Sequence, residues 1–533
     1  MLNEHINEFS VDQGLTQIAS YFNIVDNAVK TGDTNKRYTI SSNASTAPSC
    51  PFALGSWTSF VISPQGDNMC DLFNSYLTVD FNLGSFTAAP STAANAKTAG
   101  YSEAGYWVGF KDSMDAVEQY QILANGQAIY TQSNAIEESY ITNLACTEAV
   151  KQVDVYSKCR HKDAWNGKTT CMTGTVVNGS NYNSANAHKI QLKIDIRRFL
   201  PLASVKYLPE FVGNIELRIK FGISGLVCTP LSTQYVYGPK LYSASNLTKY
   251  NNKFVPFDLL GQGSNAGTNQ VKGITGITES SGTVTVTVGN QTAIKLAGIP
   301  QIDNCFSHLA CFGLDDNLYQ QLIQRYMKEA LSFPIQTLTF NQMNGNMGGT
   351  TGRSDFALTA TPRFVDTIFI LFPLDNTYKT CYENPLFKSI SLKMGGYGSV
   401  PEIPISSTSP EFYELVSNAF NTNNDLTGFN KDVMKSLTNT DSCKEGFESN
   451  DITNFVLAFP TSTDNTFQQG QTSNTPITYQ LKTEYDSSSP YYNKVSCTPI
   501  MGFLKDSVLA IQLRAQGPPI ISLDEYDISS PAE

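Results

Sequence analysis

The sequence predicts an all-β protein made of two tandem β-sandwiches, joined by a linking helix and carrying long loops. Three observations lead there. Short runs of alternating apolar and polar residues recur along most of the 533-residue chain, and alternation of period two marks a strand with one buried face. One well-formed amphipathic helix divides these runs into two trains, each ending in a clean strand. Polar and glycine-rich stretches too long for hairpin turns separate the strands, as loops at sandwich ends do.

Taken in order, residues 1–49 read as a polar N-terminal arm. A weak amphipathic pattern (Leu15, Ile18, Ala19, Phe22) lies within it, and no strong strand signal precedes Tyr38. The first sandwich spans 50–314. Leu77, Val79, Phe81 and Leu83 alternate with Thr78, Asp80 and Asn82; Ile190, Leu192, Ile194 and Ile196 repeat the pattern, as do Ile215, Leu217, Ile219 and Phe221. Between these runs, Asn125-Gly126 supplies the two residues that a type I′ hairpin turn places at positive φ. Val284, Val286 and Val288 form a further strand inside 261–298, a stretch long enough for an inserted subdomain.

A linking helix is expected over 315–330, capped by Asp315 or Asp316, with Leu318, Tyr319, Leu322, Ile323, Tyr326 and Met327 on one face. The second sandwich spans 331–516. Its strands include Ile390 to Met394, Phe455 to Phe459, Ile477 to Leu481 and Leu509 to Leu513. Ser409-Pro410 opens a second helix, a cap residue followed by proline at the first helical position. Residues 517–533 form a C-terminal tail. The stretches 84–105, 160–188, 261–282 and 341–354 read as loops, where recognition would reside.

Composition narrows the function. The chain is 41% hydrophobic and 11% aromatic, enough for two cores, and only 16% charged, as expected where much surface is buried against neighbours. A net charge of −11 opposes a nucleic-acid-coating role, which concentrates Lys and Arg on phosphates. Met1 to Ser10 has Glu4 and Glu8 and no basic segment leading into an apolar one, so no secretory signal is read there. The longest apolar run, Thr367 to Phe372, is far shorter than the ~20 residues that span a bilayer. The expectation is a soluble, non-secreted protein. The eleven scattered cysteines read as small buried thiols in a reducing compartment.

No chemistry-bearing constellation emerges. The four histidines (His5, His161, His188, His308) accompany no nucleophile-elbow signature. Cys159, His161, Cys171 and His188 have the spacing C-x-H-x9-C-x16-H, unlike the usual zinc ligand pairs, and read as loop residues. Cys305 and Cys311 fall into a strand as core thiols. Gly345 to Gly352 lacks the Gly-Lys-Ser/Thr ending of a phosphate-binding loop. Glu137-Glu138 and Asp315-Asp316 are adjacent pairs rather than carboxylates facing one cleft. No catalytic, cofactor-binding or metal residue is therefore assigned, and the chain is not read as an enzyme.

With these residues in place, the order of elements resembles the double jelly-roll major capsid proteins of double-stranded DNA viruses, in the lineage of polinton-like viruses, virophages and nucleocytoplasmic large DNA viruses. The resemblance runs from Phe52 to the last strand. It is carried by Cys70 to Leu83 (CDLFNSYLTVDFNL), by the hairpin and following turn in Val117 to Leu144, and by the proline-punctuated approach to a strand in Phe199 to Phe221. The strand-helix-strand bridge of Phe306 to Phe340 adds to it, as do Phe356 to Leu371, Asn384 to Met394 and Ser507 to Arg514.

The resemblance implies two eight-stranded jelly rolls and a structural role in an icosahedral virion. Homotrimers would form pseudo-hexagonal capsomers that contact one another, penton and minor capsid proteins and, where one is present, an internal membrane met by the N-terminal arm. It implies no sequence-specific nucleic-acid binding, and assembly inside the host cell. Tyr235, Tyr237, Tyr242, Tyr485, Tyr491 and Tyr492 are candidate anchors for subunit contacts or for packing within the chain. Two other classes share the strand pattern: a non-viral tandem β-sandwich binding module of adhesin or lectin type, and a β-sandwich carbohydrate-active enzyme, for which only Trp57, Trp107 and Trp165 could supply a tryptophan platform.

Overall fold

The computed structural model describes residues 21, 24–27, 34–43, 51–64, 68–86, 105–144, 155–159, 164, 171–178, 181–230, 255–256, 272–280, 283–290, 296–328, 330–345, 352–373, 379–382, 384–395, 399–406, 409–420, 453–461, 471–473, 475–485, 487, 498–514 and 519–524. The alternating runs are strands, and one order of them occurs twice. In the first half the core strands are β1 (Thr34–Asn43), β2 (Trp57–Val61), β3 (Met69–Asn82) and β4 (Val117–Ala124), then β5 (Gln127–Gln132), β6 (Lys189–Asp195), β7 (Ile215–Phe221) and β8 (Gln301–Leu314). In the second half they are β9 (Leu331–Gln342), β10 (Arg353–Ala360), β11 (Val365–Leu371) and β12 (Phe387–Met394), then β13 (Ser399–Ile405), β14 (Leu457–Pro460), β15 (Ile477–Tyr485) and β16 (Ile500–Gln512).

The first half pairs β1-β8-β3-β6 in one sheet and β2-β7-β4-β5 in the other; the second half pairs β9-β16-β11-β14 and β10-β15-β12-β13. Adding eight to each number of the first half reproduces the second. Every pairing within these sheets is antiparallel. Two sheets of four core strands each, with this crossing of first and last strands, define a jelly roll, so the chain contains two in tandem.

Alternation sets the register. In β3, Leu77, Val79 and Phe81 are fully buried while Thr78, Asp80 and Asn82 are half-buried on the other face. Val79 lies opposite Cys305 of β8 and Leu192 of β6, so apolar residues from three strands meet on one face. Phe81 packs edge-on against Phe221 of the facing sheet, ring centroids 6.0 Å apart. Fully burying each such side chain contributes about 1.5–3 kcal/mol. The β4–β5 hairpin turns at Asn125 and Gly126, φ 50° and 83°, as the Asn-Gly pair predicts.

Both expected helices are present. Helix α2 (Asp316–Tyr326) starts where the Asp315 side chain accepts from Asn317 N at 2.9 Å, and it stops short of the expected residue 330. Helix α3 (Pro410–Ala419) is capped by Ser409 Oγ, which accepts from Phe412 N at 3.3 Å. Phe420, beyond its end, packs on Phe369 of β11, centroids 5.3 Å apart. Among the described residues no helix is long and apolar enough to cross a membrane.

The structure departs from the sequence reading in four places. Residues 34–43, placed in the N-terminal arm, form β1 and pair with β8 from Asn43–Phe306 to Thr34–Leu314. The segment TNKRYTISSN has little apolar alternation, and long-range pairing overrides its weak propensity. Within that arm, Tyr21 and Val25 are buried in the first core, with Tyr21 edge-on to Tyr326 at 5.8 Å. Helix α1 (Ala135–Leu144) stands where a turn was expected. The expected loops at 160–188 and 261–282 contain strands: Gly174–Asn178 joins Val255–Pro256, Val227–Pro230 and Gly105–Gly109 in an accessory sheet, and Lys272–Ser280 pairs with Thr283–Asn290. Finally, Ile520–Asp524 adds a strand beside β16, within the expected C-terminal tail.

The two jelly rolls share residues. Phe333 and Ile335 of β9 and Leu509 and Ile511 of β16 belong to the first core, whereas Tyr140, Ile141, Leu144 and Leu200 belong to the second.

Candidate functional site

The most elaborately built polar region of the described chain is the seam between the two jelly rolls, and α1 lies at its centre. Its apolar residues Ile136, Tyr140, Ile141 and Leu144 recur at helical spacing and are all buried, and so are Glu137 and Glu138 in its first turn. An acidic first turn suits the positive end of the helix dipole. Helix α1 grips the second jelly roll through Tyr140, whose hydroxyl donates to Phe455 O at 2.9 Å and whose ring packs on Tyr382 at 4.7 Å. Glu137 pairs with Lys379 Nζ at 2.7 Å.

Other groups cross the same seam. Lys111 Nζ donates to Thr380 O at 2.7 Å and to Thr453 Oγ1 at 2.8 Å. Gln132 Nε2 donates to Leu338 O at 2.7 Å, and Ser204 Oγ donates to Pro334 O at 2.8 Å. Beside them Asp112, fully buried, accepts from Arg198 at 3.0 Å, lies 3.8 Å from Lys158 Nζ, and caps the turn Ser113–Ala116 by accepting from Met114 N at 3.0 Å. The ion pairs and hydrogen bonds offset a desolvation cost of several kcal/mol per buried ion.

Asp115 and Glu138 differ from Asp112 and Glu137, having no cation within ion-pair distance among the described residues. Asp115 accepts from Ser139 Oγ at 2.9 Å and from Asp112 N at 3.0 Å. Glu138 accepts from Tyr120 OH at 2.7 Å, from Gln132 Nε2 and from Leu200 N at 3.4 Å. Burial pushes the Asp115 carboxyl up to about 7, helped by the neighbouring Asp112 charge. Burial likewise raises Glu138 to about 7, against the lowering effect of its hydrogen bonds. Both lie inside the protein, so the pair reads as structural rather than as carboxylates across a substrate cleft.

A second cluster lies on the accessory sheet. Its strands come from the β3–β4, β5–β6 and β7–β8 connections, which in this antiparallel order all emerge at one end of the jelly roll. Trp107, 1% exposed, packs there with Cys159, Cys171, Val227 and, from the second half, Cys381. Cys159 and Cys171 form a disulfide with Cα atoms 5.4 Å apart, which corrects the expectation that these were loop thiols. Among the described residues the other cysteines, Cys70, Cys228, Cys305, Cys311 and Cys381, are buried thiols. Sequence spacing held no sign of the bridge, because two cysteines twelve residues apart become partners only when the accessory sheet closes.

The remaining candidates are scattered. His188 Nε2 is hydrogen-bonded to Asn181 O at 2.9 Å and its ring packs on Phe86, while His161 lies outside the described residues. Tyr485 is buried against Phe387 at 5.3 Å, so its contact is within the chain. Tyr235, Tyr237, Tyr242, Tyr491, Tyr492 and Trp165 lie outside the described residues, as do residues 346–351 of the glycine-rich stretch. Trp57 is 38% exposed on β2. No group of three or more potential metal-ligating side chains occurs among the described residues. The seam itself was missed at the sequence level because its partners are hundreds of residues apart, as with Lys111 and Thr453.

No family model and no curated protein matches the chain. Among solved structures it is similar to the mavirus major capsid protein, at 10% identity over 93% of this chain and 92% of that one, with a TM-score of 0.46. It is similar to a chain of the Sputnik virophage structure at 8% identity over 94% and 91%, TM-score 0.43. A chain of the PBCV-1 virus capsid is 10% identical over 92% and 97%, TM-score 0.43.

Proposed function

We propose that this chain is the major capsid protein of an icosahedral double-stranded DNA virus, a structural protein of the virion that assembles as a homotrimer. The observation that carries the reading is the duplication: the same eight-strand order occurs twice in one polypeptide, and jelly rolls of this kind recur in viral capsids. Because a fold alone does not fix function, the use made of its polar groups matters as well. The buried ionic groups of the seam hold one jelly roll to the other and leave the pair as a single building block.

Two jelly rolls per chain give a three-chain ring six similar corners, so cyclic threefold closure generates a pseudo-hexagonal tile. In this reading 50–314 and 331–516 are the two corner units, with β1 completing the first and 315–330 linking them. Interfaces of obligate character, above ~2,000 Å², would hold the ring. Contacts to further capsomers, to penton and minor capsid proteins and to an internal membrane belong to the same proposal.

Size-exclusion chromatography with light scattering tests it. Purified protein should elute as a species of about 175 kDa, three times the 58.4 kDa chain, that persists on dilution. A monomer with affinity for glycans would replace the capsid reading with the lectin-like one.

A further inference from the structure

We propose that Asp115 and Glu138 make the seam between the two jelly rolls a pH-operated latch, tight in acid and loosened as rising pH favours an opened state in which both carboxyls ionise. Asp115 is 2% and Glu138 1% exposed, and α1 ties both into the seam: Ser139 of α1 donates to Asp115, and Glu138 is itself part of α1. The same helix grips the second jelly roll through Glu137 and Tyr140. Charge placed on either carboxyl therefore acts on the element that joins the halves.

The groups facing the two carboxyls leave that charge poorly compensated. Asp115 is faced by Asp112 and Lys111 from its own segment, by the Ser139 hydroxyl from α1 and by the Tyr382 phenol from the second half. Lys111 itself is committed across the seam to Thr380 and Thr453. Glu138 is faced by Tyr120, Tyr130 and Gln132 from the β4–β5 hairpin and by the Leu200 backbone, all neutral. The nearby cations Arg198 and Lys158 neutralise Asp112, and Lys379 neutralises Glu137.

Both carboxyls have folded-state values near 7, above the ~4 expected in an unfolded chain. Between those limits the folded state holds more protons than the unfolded one, so stability falls as pH rises. The contribution is fully present below pH ~4, is lost by about pH 7, and is constant beyond.

Amide hydrogen exchange on the intact protein tests the latch, with α1 compared against β7 as internal reference and rates corrected for intrinsic pH dependence. Between pH 5 and pH 7.5, protection of α1 relative to β7 should fall about tenfold or more, a tenfold change being the effect of one unit of pKa shift. Asp115→Asn should weaken that dependence, because Asn can still accept from Asp112 N and donate to Ser139 Oγ. Adding Glu138→Gln should remove the rest. Equal relative protection of α1 at both pH values overturns the proposal, and so does a double variant that keeps the wild-type dependence. Should the double variant fail to fold, the wild-type ratio decides alone.

Discussion

Asp112→Ala should destabilise the protein by about 3–5 kcal/mol, the range for breaking a buried ion pair by removing one partner. Asp112 is fully buried and serves three functions at once: it accepts from Arg198, lies beside Lys158, and caps the turn that holds Asp115. Alanine leaves two cations in a dry site. The Arg198 and Lys158 side chains are only 13% and 6% exposed, so water cannot readily replace the lost carboxylate. Asp112→Asn should be milder, since an amide can still cap Met114 N, and the difference between the two variants isolates the cap from the charge. Urea unfolding at pH 7 provides the measurement. A change within ~0.5 kcal/mol, as at ordinary surface positions, would show that the seam is wetter than its geometry implies.

Trp107→Ala should cost a similar ~3–5 kcal/mol, the range for truncating a buried tryptophan. Its indole lies so close to Gly174 that a Cβ built there would clash with Cζ2, and a Cβ on Gly109 would be 2.7 Å from Cη2. These two glycines, paired in register, form a floor that only the absence of side chains permits. Truncation leaves a cavity between the accessory sheet, the Cys159–Cys171 bridge and Cys381. Gly174→Ala should also destabilise, by forcing the ring out of its site. Thermal melts of both variants, with mass mapping of the bridge, provide the check; a fully stable Trp107→Ala protein would mean the cluster is not packed as described.

How much of this could be read from sequence depended on how local the cause was. The strands of β3, β6 and β7 were legible because each residue's face follows from its neighbour's, as Leu77, Thr78 and Val79 show. The caps of α2 and α3 were legible for the same reason: Asp315 and Ser409-Pro410 act within one turn. Helix α1 shows the opposite. Its Ile136, Tyr140, Ile141 and Leu144 do repeat at helical spacing, but Glu137 and Glu138 interrupt the apolar face, and their burial is explained only by distant partners, Lys379 of the second jelly roll for Glu137 and Tyr120, Gln132 and Leu200 for Glu138. Strand β1 was illegible because its order comes from β8, more than two hundred residues away. The seam had no sequence signature, since Lys111 looks like any lysine until Thr380 and Thr453 surround it.

The duplication of one strand order is the basis for reading this chain as a capsid building block, and electron microscopy of the purified protein tests that reading most directly. Threefold particles with six similar lobes, or closed shells built from them, are the predicted result. A field of isolated two-lobed particles, unchanged across protein concentration, would contradict it.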